Sequence, residues 1–345
     1  WMHGQYNSIY RDNNLTLQQS IPFPSALINQ LKLGKEQVAG AEQNLIVQQN
    51  NLVYDVKSIY YLMLYQEAFG DLLMTQDSLY KDFANASSLR YKTGESNLLE
   101  KTTAVTQLSE IENQRQQNRA DIQISGARLQ ALLKSDLLIT ASDKLLKRQL
   151  SSESEAGQIR NNPSLKLANQ EVSISQQFKR VERSRIMPDL LVGAFGQSLT
   201  GYQKTSNISD VFYPRSKVFT GFQLGLAIPL WIKPNLARAK AASFQEDAMR
   251  KNAQNLETVL RATYEQAIRE LDKNSNSLHY YETNALQNGE LILNQARKAF
   301  HSGEIGYLEY LQALKTSLGI KGNYLQALNQ YNQSVLKLEF LLGKF

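Results

Sequence analysis

The sequence predicts a mainly α-helical protein in which long antiparallel helical hairpins, packed as coiled coils, alternate with pairs of β-strands, the whole built as two tandem copies of one unit. Three observations carry this. Prolines stand only at positions 22, 24, 163, 188, 214, 229 and 234, which leaves two stretches of more than 100 residues free of the strongest helix breaker. Within those stretches apolar residues recur at spacings of three and four. Between them the apolar spacing becomes two.

The elements follow in order. Residues 14–23 read as a strand, with Leu15, Leu17, Ile21 and Phe23 opposite Thr16, Gln18 and Ser20. From Pro24 the chain runs helically to Gly94 with Leu52, Val56, Ile59 and Met63 on one seam. At ~1.5 Å per residue this arm is about 100 Å long, so it must fold back at the glycine to pack on anything in its own chain. A shorter helix returns, a polar connection covers residues 136–162, and a further helix runs from Ser164 to Met187. Residues 189–199 and 218–231 then alternate as strands, joined by a polar loop at 200–217. In the second strand Phe222, Leu224, Leu226, Ile228 and Leu230 point one way, and Gln223, Gly225 and Ala227 the other. Such strands suit either the core face of a soluble sheet or a barrel wall with lipid outside and water inside. The last stretch repeats the hairpin, turning at Gly303 and returning on the seam Leu311, Leu314, Leu318, Leu325, Leu328, Val335 and Leu342. Lys321, Asn332 and Glu339 interrupt that seam, so the helix is expected to bury a narrow stripe and wet the remainder.

Self-comparison exposes the duplication. Ser20-Ile21-Pro22-Phe23-Pro24 matches Ala227-Ile228-Pro229-Leu230-Trp231 at an offset of 207, each closing a strand and opening a helix. Arg90-Tyr91-Lys92-Thr93-Gly94-Glu95 matches Ala299-Phe300-His301-Ser302-Gly303-Glu304 at 209, and Arg128-Leu129-Gln130-Ala131-Leu132-Leu133 matches Lys337-Leu338-Glu339-Phe340-Leu341-Leu342 at the same 209. The organisation expected is a first repeat at 1–135, a linker at 136–163 and a second repeat at 164–345. The copies are cyclically offset, and the chain opens at Trp1 without a leader peptide or lipidated cysteine. A preceding helix, with most of a strand, is therefore expected upstream, the chain being a piece of a longer one.

Composition narrows the function. Gly at 18 and Pro at 7 of 345 residues are too few for a turn-rich all-β fold, and the mean hydropathy of −0.41 comes without any apolar run long enough for a membrane helix. That excludes helical membrane spanning and leaves a barrel open. With no cysteine there is neither a disulfide framework nor a thiolate site. The net charge of +6 is scattered, and its densest cluster, Lys179, Arg180, Arg183 and Arg185, reads as a solvated helical face rather than a nucleic-acid surface. His3, His279 and His301 lie far apart, the methionines do not cluster, and no phosphate loop, dinucleotide fingerprint or nucleophile elbow occurs. No catalytic, metal or cofactor site is expected. His301 reads as a surface turn residue, and Tyr280, Tyr281, Tyr307 and Tyr310 as fillers of interhelical grooves.

The order and doubling of the Ile-Pro joints (Ile21-Pro22, Ile228-Pro229), the Tyr91-x-x-Gly94 and Phe300-x-x-Gly303 turns, and Asn162-Pro163-Ser164-Leu165 resemble the outer-membrane factor family typified by TolC. The resemblance implies a TolC-like homotrimer in which each protomer lends four transmembrane strands to one twelve-stranded barrel in the outer membrane of a Gram-negative bacterium. Its helices would form a tunnel into the periplasm. Phe222, Leu224, Leu226 and Ile228 would face lipid, the 200–217 loop would be extracellular, and the 136–162 connection part of an equatorial collar. Gly94, Glu95, Gly303 and Glu304 would lie at the periplasmic tips, against the hairpins of an adaptor (membrane fusion protein), and Glu309, Glu100 and Gln312 near a constriction. In the family the positions of Glu309 and Glu100 often carry aspartate, and Thr103 and Gln312 stand where a second acid can occur. The reading beside the ring is a glutamate stabilising a helix N-terminus. The implied function is a passive exit duct working with an adaptor and an RND-type inner-membrane pump in efflux or type I secretion. Residues 17–24 are similar to heavy-metal-efflux versions from Bacteroidota-like bacteria, where the duct can be fused behind the pump. The rival class is a soluble or peripheral coiled-coil scaffold, with an enzyme behind it.

Overall fold

A computed structural model describes residues 12–137, 139–141, 143–149, 156–206 and 209–345. The elements are β1 (Asn14–Ile21), α1 (Pro24–Lys92), α2 (Leu98–Leu133), a 3-10 turn (Ala156–Asn161), α3 (Pro163–Ser184), β2 (Asp189–Ser198), β3 (Gly201–Ser206), β4 (Ser209–Tyr213), β5 (Val218–Ala227), α4 (Lys233–Tyr280), a π-turn (Tyr281–Ala285), α5 (Leu286–Ser302) and α6 (Tyr307–Leu341). They fall into two compact units, Trp1–Glu42 with Ala168–Gln254 and Gln43–Leu167 with Asn255–Phe345. Each unit draws on both sequence repeats.

The first unit is a sheet on three helical segments. β2 lies antiparallel between β1 and β5, with Leu17 opposite Ala194 and Ala194 opposite Phe222. Three of the four expected strands are therefore in one sheet; residues 1–11, where part of a further strand was expected, lie outside the described residues. β5 stops at Ala227 rather than at Trp231, because Pro229 has no N–H to give a ladder. The loop expected at 200–217 is partly a second hairpin, β3 on β4, with the Tyr202 and Phe212 rings 5.1 Å apart. Helix α3 is held on both flanks. The Gln170 amide donates to the Glu36 carbonyl and carboxylate at 3.0 and 2.6 Å, and the Ile174 side chain sits where a Cβ on Gly40 would meet it at 2.8 Å. On the other flank Lys179 pairs with the buried Glu246 of α4.

In the second unit α6 is central. Val335, Leu336 and polar Asn332 are fully buried, and polar Ser334 and Glu339 are buried beside them along its C-terminal half. The expectation of a narrow buried stripe fails here, because α6 is covered from three sides. From α1, Ser58 and Gln333 exchange two hydrogen bonds of 2.7 and 2.9 Å, and Tyr54 packs on Phe340 at 4.6 Å between ring centres. From α4, the Asn274 amide donates to Ser334 Oγ at 2.7 Å. The third side is covered by the linker: the Arg148 backbone N–H donates to Asn332 Oδ1 at 2.8 Å, the Asn332 amide donates to the Leu146 carbonyl at 2.9 Å, and the Arg148 guanidinium meets Glu339 at 2.7 Å. Two of the three seam interruptions are thus the residues that bind the strap. The third, Lys321, lies 3.9 Å from Glu290 of α5.

Helix α2 packs on α1, with the Asn118 amide donating to the Gln66 carbonyl at 2.9 Å and Arg115 paired to Asp77 at 2.8 Å. Met63 of the expected α1 seam is fully buried, whereas Leu52 stays 44% exposed. The Asn162-Pro163 motif closes the unit. Asn162 Oδ1 caps α3 at Ser164 N–H, 2.9 Å, while its amide donates to the Leu341 carbonyl at 2.9 Å, satisfying an end group of α6.

Candidate functional site: the apolar strand face and the glycine turns

Two features stand apart from ordinary packing. The first is one face of the three-stranded sheet. Register places Ile21, Leu190 and Leu226 in one row, Gln19, Val192 and Leu224 in the next, then Leu17, Ala194 and Phe222, then Leu15, Gly196 and Thr220. This face is hydrocarbon and bare: Phe222 is 90% exposed and Leu224 81%, with Leu15 and Leu17 close behind. Gln19 and Thr220 interrupt it, and Gln19 folds its amide onto the Ser20 carbonyl at 2.9 Å. The opposite face carries Ser20, Gln18, Thr16, Gly193, Gln197, Gly225 and Gln223, and its large Phe195 ring lies over Gly221, where a Cβ would stand 2.7 Å from the ring. An apolar face left in water at ~25 cal/mol per Å² is strongly unfavourable, so a face this continuous is one that water does not cover. Phe222, Leu224 and Leu226 lie exposed on this side, and Ile228, just past β5, is exposed as well. Leu15, Leu17, Leu190 and Val192 extend it. Their period-two pattern was in the sequence, but only register shows that it joins that of β5.

The second feature is the pair of turns. At Gly94 (φ 80°) the N–H groups of Glu95 and Ser96 both donate to the Arg90 carbonyl, at 2.8 and 3.2 Å. At Gly303 (φ 77°) those of Glu304 and Ile305 both donate to the Ala299 carbonyl, at 2.9 and 3.3 Å. The same hydrogen bonds thus recur 209 residues apart. Both glycines adopt the left-handed conformation that ends a helix and that a side chain disfavours. The turns lie at one end of the second unit, because the Tyr307 hydroxyl, just past the second, donates to the Glu100 carbonyl, just past the first, at 2.9 Å. Burial raises the Tyr307 pKa above the usual phenol value; a Ser87 hydrogen bond opposes this and the charge of Glu100 adds to it. Below the turns four rings interlock across the repeats: Phe83 stacks on Tyr307 at 4.5 Å, Phe300 on Tyr310 at 4.6 Å, and Phe83 meets Tyr310 at 5.7 Å. Phe300 opens the Phe300-x-x-Gly303 motif of the sequence, whereas Phe83 had no distinguishing signal there. Of the four tyrosines expected in grooves, Tyr307 is buried, while Tyr280 is 55% exposed; it precedes the π-turn, which re-phases the helix face.

The helix starts after the two turns differ. Asn97 caps α2 with its own side chain, accepting from Glu100 N–H at 2.9 Å. The equivalent residue before α6 is Gly306, which has no side chain, and Glu309 reaches back to accept the Gly306 N–H at 2.9 Å. One Glu100 carboxylate oxygen is buried without a hydrogen-bond partner. Glu95, Glu304, His301 and Gln312 are exposed. No cluster of three or more His, Cys, Asp or Glu able to hold a metal ion occurs among the described residues, and no helix there is long and apolar enough to cross a membrane.

A bare apolar strand face continued by long helical hairpins defines an outer-membrane channel subunit. The family model for outer membrane efflux proteins matches residues 158–344, more than half of the chain, and the chain belongs to that family. Solved structures agree in fold. CusC is similar at 15% identity with a TM-score of 0.77, over 96% of this chain and 82% of its own. The Campylobacter jejuni CmeC outer membrane channel is similar at 11% identity and a TM-score of 0.79, over 96% and 77%. The open-state MtrE outer membrane channel of Neisseria gonorrhoeae is similar at 11% and 0.77, over 96% and 80%. No curated protein sequence matches the chain.

Proposed function

We propose that this chain is the exit duct of a tripartite efflux or type I secretion assembly, a homotrimer that conducts substrate passively from the periplasm to the outside. The observation that carries the proposal is the three-stranded sheet: one face is exposed hydrocarbon, and the outer edges of β1 and β5 have no partner among the described residues. An open strand edge in a bilayer leaves backbone groups unsatisfied at several kcal/mol each, and closing the edges around a three-fold axis removes them. The opposite face, where Thr16, Gln18, Ser20, Gln197 and Gln223 stand among Leu191, Phe195 and Phe219, would line the lumen.

In this reading the tandem-repeat division at 1–135, 136–163 and 164–345 reflects a duplicated wall segment, which the recurrence of the turn hydrogen bonds supports. Gly94, Glu95, Gly303 and Glu304 meet an adaptor at the periplasmic tips. Glu309 and Glu100, with Gln312 beside them, line the constriction there, and an RND-type pump supplies the driving energy. Metal ions are the cargo favoured by residues 17–24. The test is reconstitution of the purified protein in planar bilayers, with molar mass measured in detergent. A trimer giving discrete conductance steps is expected. A stable monomer in detergent-free buffer, with no conductance, would overturn the proposal.

A further inference from the structure

The first unit concentrates positive charge at one end of its sheet. Three chain segments pass there: β1 into α1, α3 into β2, and β5 into α4. Residues 22–35, 176–188 and 228–240 together hold nine basic residues and one acid, a net +8 against +6 for the whole chain, so the remaining 305 residues sum to −2. The fold gathers these segments. The Asn29 amide of α1 reaches Ser184 Oγ at 3.2 Å and the Arg180 carbonyl at 3.4 Å, and the Asn235 amide of α4 reaches the Arg185 carbonyl at 3.2 Å. Two of the bases are engaged, Lys179 by Glu246 and Arg185 by Glu182 at 3.2 Å. Arg183, Lys233 and Arg238 are exposed and have no acidic partner among the described residues. At this end of the sheet the apolar face closes in the Ile21-Leu190-Leu226 row, and the chain runs from β5 through Leu230 and Trp231, each 85% exposed, to Lys233.

Cations without an acidic partner, close along the chain to bare hydrocarbon and to an exposed indole, are complementary to a lipid that is apolar on one side and anionic on the other. A nucleic acid or an acidic protein would match the charge but leave the adjoining hydrocarbon uncovered. We infer that Arg183, Lys233 and Arg238 bind the headgroups of anionic phospholipids in the leaflet on the helix side of the barrel. The inference rests on the outer-membrane reading above and goes beyond it in naming a lipid class and the residues that select it.

The test uses the purified full chain in nanodiscs of equimolar phosphatidylethanolamine and phosphatidylglycerol, with the lipids retained on release identified by native mass spectrometry. A basic residue near an anionic surface is worth about a fivefold change in association. Phosphatidylglycerol is therefore expected to be enriched about fivefold or more among retained lipids. The triple variant R183Q/K233Q/R238Q should lose the enrichment, K233Q alone should reduce it, and the charge-matched control K92Q/R119Q/R128Q should keep it. Insertion without lipid preference, or equal loss in the control, would overturn the inference while leaving the duct intact. Failure to enter either lipid would instead sink the duct. Displacement of the retained lipid by millimolar inorganic phosphate would show a simple anion site and also refute it.

Discussion

Glu246 shows at the level of one residue how the sheet-bearing unit is secured. Its carboxylate is buried and accepts from Lys179 of α3, with Arg250 one turn along α4 at 2.6 Å. The Lys179 hydrogen bond, then the charges of both cations, lowers its pKa against an opposing desolvation. A carboxylate whose folded pKa lies below its unfolded value of about 4.3 contributes stability above that value and loses it as the pH falls through the folded pKa. Glu246→Gln leaves a partly buried lysine without its counter-ion, for which removal of one partner costs about 3 kcal/mol. The expected outcome, in thermal unfolding followed by circular dichroism in detergent, is a Glu246→Gln protein well below wild type at neutral pH, the gap closing below about pH 4. A gap of constant size across that range would show that the ion pair is not what Glu246 supplies.

Elements show what the sequence made legible and what it hid. The hairpins were readable because proline absence, three-four periodicity and a glycine at each turn are local signals, and the turns formed at those glycines. The apolar face was readable on β5, where Phe222, Leu224 and Leu226 alternate, and only in part on β1 and β2, since Gln19, Ala194 and Gly196 dilute it until register lines the strands up. Asn332 and Glu339 looked like faults in a coiled-coil seam because their partners, Leu146 and Arg148, lie more than 180 residues away in a stretch without periodicity. Heptad logic alone would have Asn332→Leu improve the seam. The fold predicts the reverse, since the change orphans the Arg148 N–H and the Leu146 carbonyl, each left-over group costing about 1–3 kcal/mol. Limited proteolysis should cut the linker around residues 143–149 faster in the leucine variant, with a lower unfolding temperature. Unchanged cleavage would mean that the strap holds without this residue.

For the whole molecule, the proposed ion selectivity turns on whether a carboxylate at a helix start also serves as a charge on the duct axis. Glu309 has a local role already, accepting the Gly306 N–H that no side chain at 306 can cap. The two roles are separable, because glutamine keeps an oxygen for that N–H and removes only the charge. In the proposed trimer the substitution would delete three negative charges around one axis, where charges of one sign in a narrow passage set which ions enter. Under a salt gradient in planar bilayers, the Glu309→Gln channel should show a reversal potential moved toward zero, with trimer assembly and unfolding temperature close to wild type. Glu100→Gln should have the smaller effect, since one Glu100 oxygen is already out of water. Normal conductance with an unmoved reversal potential in Glu309→Gln would confine Glu309 to capping α6 and place any selectivity elsewhere along the duct.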